Sequence, residues 1–195
     1  MGAGILPTTI HKNKLYFLFG KENKYEKISP GFADFGGGTD NNENYLQTAA
    51  REGSEELTGY LGNANDIRKL LTKKGTYNID YTTNKYGTYR SHIFPFEYNE
   101  MLPYYFNNNQ QFIQNKLNKK IITSTKIFEK VEMKWFCVDE LEKKKNRFRR
   151  HFIPLIDIIV NKKEDIMKFI KKHKKSISTK KYLFKNNKHK KTKRI

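Results

Sequence analysis

The stretch that decides the fold reads Gly36 Gly37 Gly38 Thr39 Asp40 Asn41 Asn42 Glu43 and, seven residues on, Arg51 Glu52 Gly53 Ser54 Glu55 Glu56 Leu57 Thr58 Gly59. Three consecutive glycines describe a backbone path that side chains would obstruct. Asp40 with Glu43 three residues later makes a capping pair, after which Tyr45, Leu46, Ala49, Ala50, Gly53 and Leu57 recur at helical spacing. A helix ending near Thr58 and Gly59 is predicted. On it Glu52, Glu55 and Glu56 stand at i, i+3 and i+4, which puts three carboxylates on one face. Such a triplet is either a solvated face or a set of like charges waiting for a cation, and hard oxygen donors of this kind suit Mg²⁺ or Mn²⁺.

A metal there would bridge phosphate oxygens and lower the pKa of a bound water. The glycine loop would let backbone amides approach the substrate or hold the helix entry in a fixed geometry, and Arg51 could orient a neighbouring carboxylate through a forked hydrogen-bond pair. Outward from this segment, residues 5–10 and 15–19 read as two core strands around a polar break of hairpin length, and residues 77–81 and 88–96 as a second hairpin turning at 84–87. Residues 102–117 are loosely helical with an Asn- and Gln-rich centre, 135–138 form a short buried strand, and 152–170 repeat apolar residues as one helix.

Gly37, Glu43, Arg51, Glu52, Glu55 and Glu56 fall in register with the motif of the Nudix hydrolases, which this sequence resembles over roughly residues 4–160. Gly53 stands where that family has an apolar residue, which would loosen packing against the sheet, and Thr58 stands where the closing glycine is expected, with Gly59 one place late. The resemblance implies an α/β/α sandwich with a mixed sheet over residues 1–170, followed by a basic extension over 171–195. It also implies phosphoanhydride hydrolysis, with Glu55 and Glu56 as metal ligands, Glu52 as ligand or base, Arg51 as orienting residue and Mg²⁺ or Mn²⁺ as cofactor. Glu132 resembles the additional carboxylate that many members place in a loop facing the metals; with Lys130 and Lys134 beside it, a surface ion pair is an equal reading.

The segments Gly2 to Pro7, Leu18 to Glu22 and Asp34 to Gly38 resemble in particular the Nudix enzymes of large cytoplasmic DNA viruses, which act in mRNA decapping and on diphosphoinositol polyphosphates. That implies release of a 7-methylguanosine diphosphate cap from RNA, with a diphosphoinositol or dinucleotide polyphosphate hydrolase as the alternative and a nucleic-acid-binding module with an inactive box as a further one. A viral protein of this kind would work in the host cytoplasm.

Composition points the same way. The net charge is +19, and residues 171–195 hold 11 Lys and one Arg with no acid, well over half of that excess. A polyanionic partner is expected, capped RNA first among them. The tail would bind RNA phosphates, target the nucleus or stay solvated, with Tyr182 and Phe184 favouring nucleic acid. Arg90 would meet a phosphate of the substrate or remain solvated; Tyr86, Tyr89 and His92 would stack on a base or pack in the core. One cysteine, Cys137, excludes an internal disulfide and fits a reducing cytoplasmic setting as a buried small residue. No apolar run reaches the roughly 18 to 20 residues of a membrane span.

Overall fold

Two residues in the left-handed region, Lys12 (φ 47°) and Asn13 (φ 61°), close the hairpin between β1 (Gly2–His11) and β2 (Lys14–Glu22). Paired left-handed turn residues match the twist of the flanking strands. The computed structural model describes residues 1–23, 29–40, 42–83, 87–124 and 128–174. After β2 come β3 (Phe32–Ala33), β4 (Phe35–Gly38), α1 (Tyr45–Glu56), α2 (Ala64–Lys74), β5 (Tyr77–Thr83), β6 (Gly87–Pro95), α3 (Met101–Lys116) and α4 (Lys119–Ser124). Then follow β7 (Lys130–Cys137), α5 (Val138–Leu141), tight helical turns at Glu142–Arg147 and Arg150–Phe152, α6 (Ile153–Asn161) and α7 (Lys163–Lys174).

The strands make one open sheet ordered β3-β2-β1-β6-β5, with β4 paired to β1 and β7 paired to β2. β6 runs parallel to β1 and the other ladders are antiparallel, so the sheet is mixed. One face carries Ala3, Ile5, Leu18, Met133 and Trp135 under α1, α2 and α3; the other carries Leu6, Phe17, Phe19 and Phe136 under α6 and α7. The chain is therefore a three-layer α/β/α sandwich. Among the described residues no helix is long and apolar enough to cross a membrane.

Three local expectations change. The cap of α1 is Asn44, not Asp40: Asn44 accepts from Leu46 and Gln47 while Gln47 answers its backbone N–H at 2.9 Å. Asp40 and Glu43 instead close their own turn, and Asn42 at φ 62° keeps the helix from starting earlier. The apolar run at 152–170 breaks at Lys162 into α6 and α7, letting α6 lie on β5 while α7 turns across β1 and β6. α7 reaches Lys174, so the first four residues of the expected tail are helical; Tyr86 and residues 175–195 lie outside the described residues.

α2 has no counterpart among the expected elements. Its signals are short, an Asn63–Asp66 capping box with Ile67 and Leu71 alone buried. The Asn-rich centre of α3 proves useful rather than disruptive: Asn107 donates to the carbonyl of Met133 (3.2 Å) and accepts from its N–H (2.7 Å), sealing the outer edge of β7.

Candidate functional site

β4 lies along the start of β1, and α1 crosses above both, seated by a glycine. A Cβ on Gly53 would meet Ile5 Cδ1 at 2.5 Å, so this glycine lets the helix approach β1 closely rather than loosening it. The helix exit also departs from the expected pattern: Thr58 sits at φ 51° and Gly59 at φ 74°, so a β-branched residue occupies a left-handed position that glycine would hold without strain.

The three glycines have separate tasks. A Cβ on Gly36 would strike the Tyr89 hydroxyl at 2.2 Å and Gly4 Cα at 2.3 Å, and one on Gly37 would strike the Glu52 carboxyl at 2.6 Å; Gly38 has open space around it. The first two are glycine because internal packing leaves no room for a side chain. Their absent side chains let Tyr89 pass beneath the sheet and let Glu52 lie against the strand.

Arg51 gathers the outer part of the site. Its Nε and Nη2 donate to the two oxygens of Glu43 at 2.9 and 3.0 Å, Nη1 donates to Glu52 at 2.8 Å, and Nη2 also donates to the Gly38 carbonyl at 2.9 Å. Glu55 lies 3.6 Å from Nη1. The fork thus falls mainly on Glu43, whose carboxyl it holds below the usual range, while hydrogen bonds to Glu43 and Glu52 hold the guanidinium firmly charged. Glu52 is nearly buried and Glu55 is 40% exposed, so the pair opens at the edge of the helix.

Glu56 points inward to a different partner. Its Oε2 accepts from the Gly36 N–H at 2.7 Å and its Oε1 lies 3.2 Å from Lys130 Nζ. Lys130, wholly buried, also donates to Glu22, which takes a second bond from Arg149 at 2.6 Å. Burial pushes the Glu56 carboxyl well up against the pull of Lys130, with Glu22, Glu129 and Glu52 adding to the rise. Burial also works against the charge on Glu22, but Lys130 and Arg149 hold it below the usual range.

Glu132 does not join these groups. It pairs across the ladder with Lys21, on the face shared by Phe17, Phe19 and Phe136, whereas α1 covers the face of Leu18 and Met133. Its carboxylate meets Lys21 at 3.4 Å, the surface ion pair. Glu22 follows Leu18 and Gly20 on the helix side, the irregularity by which Lys21 pairs with Glu132 but Glu22 with Lys130 turns Lys130 to that side as well, and Glu129 joins Glu22 and Glu52 among the carboxylates whose charge reaches Glu56. Arg90 forms a fork to Asp80 at 2.6 Å and stacks 4.6 Å over Tyr45, so its donors already have a partner inside the chain. Tyr89, His92 and Cys137 are buried.

Sequence reading missed Asp34, which accepts from Tyr89 at 2.9 Å and Ser91 at 2.8 Å; burial raises it to about 6 despite those bonds. It also missed Glu22, Lys130 and Arg149. A lysine two residues from Glu132 and a glutamate ending a strand carry no signal of burial until the bulge is known.

Among the described residues no three His, Cys, Asp or Glu side chains converge closely enough to cage a metal ion. The donor chemistry fits an ion at two carboxylates, Glu52 and Glu55, since Mg²⁺ is commonly held by one or two carboxylates with waters and substrate phosphates completing its shell. Glu56 is committed to Lys130 and Gly36.

No family model and no curated protein matches this chain. Solved structures do. A Nudix hydrolase from M. smegmatis shares 14% identity, covering 85% of this chain and 86% of its own, at a TM-score of 0.49. An Ap4A hydrolase from C. elegans shares 14%, covering 86% and 96%, at 0.48, and a mutT/nudix family protein from Listeria innocua shares 16%, covering 86% and 93%, at 0.46. At these identities and scores the functional reading rests on the side chains themselves.

Proposed function

We propose that this chain is a Nudix-type phosphoanhydride hydrolase working with Mg²⁺ or Mn²⁺, and that its substrate is capped RNA. The observation that carries the reading is the Arg51 fork, which holds Glu43, Glu52 and the Gly38 carbonyl in one rigid unit with Glu55 beside it at an open edge. Glu52 and Glu55 would hold the ion. When bound, it supplies neutralisation of phosphate charge and a water of lowered pKa.

The chain's own groups do the rest. Arg51 fixes the rotamer of Glu52, so that this carboxylate presents its remaining acceptor capacity in one direction. Gly37 keeps the strand close to Glu52, and Gly36 ties β4 to the helix through Glu56. Capped RNA is supported by charge: a scissile anhydride suits the carboxylate edge, and a long polyanion suits a net charge of +19 concentrated toward the C-terminal residues.

The test is a substrate panel with Mg²⁺ or Mn²⁺: capped RNA, a diphosphoinositol phosphate, a dinucleotide polyphosphate and a nucleoside triphosphate. Cap release from RNA is expected. A truncation at Lys174 should weaken binding of long RNA and make its salt dependence shallower, with little change on a free cap dinucleotide. Turnover of diphosphoinositol or dinucleotide polyphosphate without cap release would replace RNA as the substrate, and no turnover of any panel member would overturn the hydrolase reading.

A further inference from the structure

A fully buried ammonium at the last carboxylate of a metal-binding face calls for a reason. Lys130 is 0% exposed, and its stem crosses Gly20, where a Cβ would meet Lys130 Cδ at 2.9 Å and Cγ at 3.1 Å. Its head lies between Glu22 and Glu56. Arg149 completes Glu22 from one side, and the Gly36 N–H completes Glu56 from the other. Each carboxylate therefore has its cation and its hydrogen bonds inside the protein.

We propose that Lys130 is a built-in cation standing where a metal ion would otherwise sit at Glu56, so that divalent metal is confined to the Glu52 and Glu55 edge of α1. The inference rests on the metal-dependent reading above and assigns one of the three carboxylates of that face to a different task. The pairing supports it. Among the groups in direct contact, the two carboxylates Glu22 and Glu56 are met by the Lys130 ammonium and the Arg149 guanidinium, so the point at which a divalent ion would approach Glu56 already holds a cation.

Glu56 is then a positioning residue. Through the Gly36 N–H it fastens β4 beneath α1, which is what holds Gly37 against the Glu52 carboxyl. Lys130 keeps that fastening in place without occupying the edge where substrate phosphates would arrive.

The experiment is a Mn²⁺ titration followed by the paramagnetic resonance signal of free Mn²⁺, with full-length wild type, Glu52→Gln, Glu56→Gln and Lys130→Met, each checked for folding by circular dichroism. Glu52→Gln should weaken Mn²⁺ binding by roughly tenfold or more, the scale on which disturbed metal sites lose affinity. Glu56→Gln keeps an oxygen to accept from the Gly36 N–H and removes no ligand, so its loss should be clearly smaller than that of Glu52→Gln. Lys130→Met releases Glu56 and should bind Mn²⁺ more tightly or take up an additional equivalent. If Lys130→Met does not fold, the contrast between the two glutamine variants decides by itself. Equal losses in Glu52→Gln and Glu56→Gln would overturn the inference and leave the metal-dependent reading standing; a wild type that binds no Mn²⁺ would overturn both.

Discussion

Arg51 and Lys130 each gather carboxylates around a cation, but Arg51 does so at a surface edge and Lys130 inside the interface of helix and sheet. The Arg51 side chain is 20% exposed with Glu55 at 40%, whereas Lys130 is 0% and Glu56 3% exposed. The chemistry of pairing is the same and the medium differs. At the edge, Glu55 is exposed and lies 3.6 Å from Arg51, so that contact adds little stability and leaves its carboxylate available to an incoming ion. In the interior, removing one partner strands a charge, so the pairs are locked. Adjacent residues of one helix, Glu55 and Glu56, thus belong to different functional regimes.

The largest expected effect breaks the interior cluster. Lys130→Met should destabilise the fold by about 3 to 5 kcal/mol in chemical denaturation, because it leaves buried carboxyl groups without their cation. A Lys130→Met, Glu56→Leu double variant should recover most of that loss, Glu22 keeping Arg149. If the single variant is as stable as wild type, the interior cluster is no more locked than the edge.

The edge responds in activity instead. Glu52→Gln and Glu55→Gln should each lower kcat/KM by roughly 10² on whichever panel substrate is turned over, with little change in the denaturation midpoint. Glu56→Gln should show the reverse balance, a measurable loss of stability and the smaller loss of kcat/KM. Identical profiles for Glu55→Gln and Glu56→Gln would erase the distinction between the two regions.

The smallest effect is a pH signature that separates them by sign. Asp34, which feels Lys130 and Arg149, has its folded pKa raised by burial to about 6 from an ordinary 3.8. Its contribution to stability is full below about pH 4 and is lost as pH rises through about 6. Glu43, held low by Arg51, contributes stability above its ordinary 4.5 and loses it as pH falls through its lower folded value. Asp34→Asn should flatten the fall in stability between about pH 4 and 6, and Arg51→Met should remove Glu43's loss on acidification. Denaturation midpoints measured from pH 3 to 7 check both, and unchanged profiles in either variant would remove that group from the account.

Much of the edge was legible in sequence because a helix converts spacing directly into a shared face: Glu52 and Glu55 are close for no reason beyond helical geometry, and Glu43 reaches Arg51 two turns along the same segment. The second hairpin was legible for a similar reason, alternation being a local property, whereas the mixed three-layer sandwich was expected only from the family resemblance. Glu132 shows where this ends. Its face of the sheet depends on the pairing register with Lys21, and that of Lys130 on a single bulge beyond it, since a shift of one residue sends a side chain to the opposite face.

By itself, then, the sequence determined the run of glycines, the helix after it, the carboxylate face that helix carries and the excess of positive charge. Tertiary structure alone decided that Gly53 seats the helix on Ile5, that Asn44 rather than Asp40 caps it, and that Lys130 crosses Gly20 to meet Glu56. The physical reason is distance along the chain. Contacts within a helical turn are set by backbone geometry that neighbours in sequence specify, whereas Glu22, Glu56, Lys130 and Arg149 come together only once two strands, a helix and a late loop have closed around one buried point.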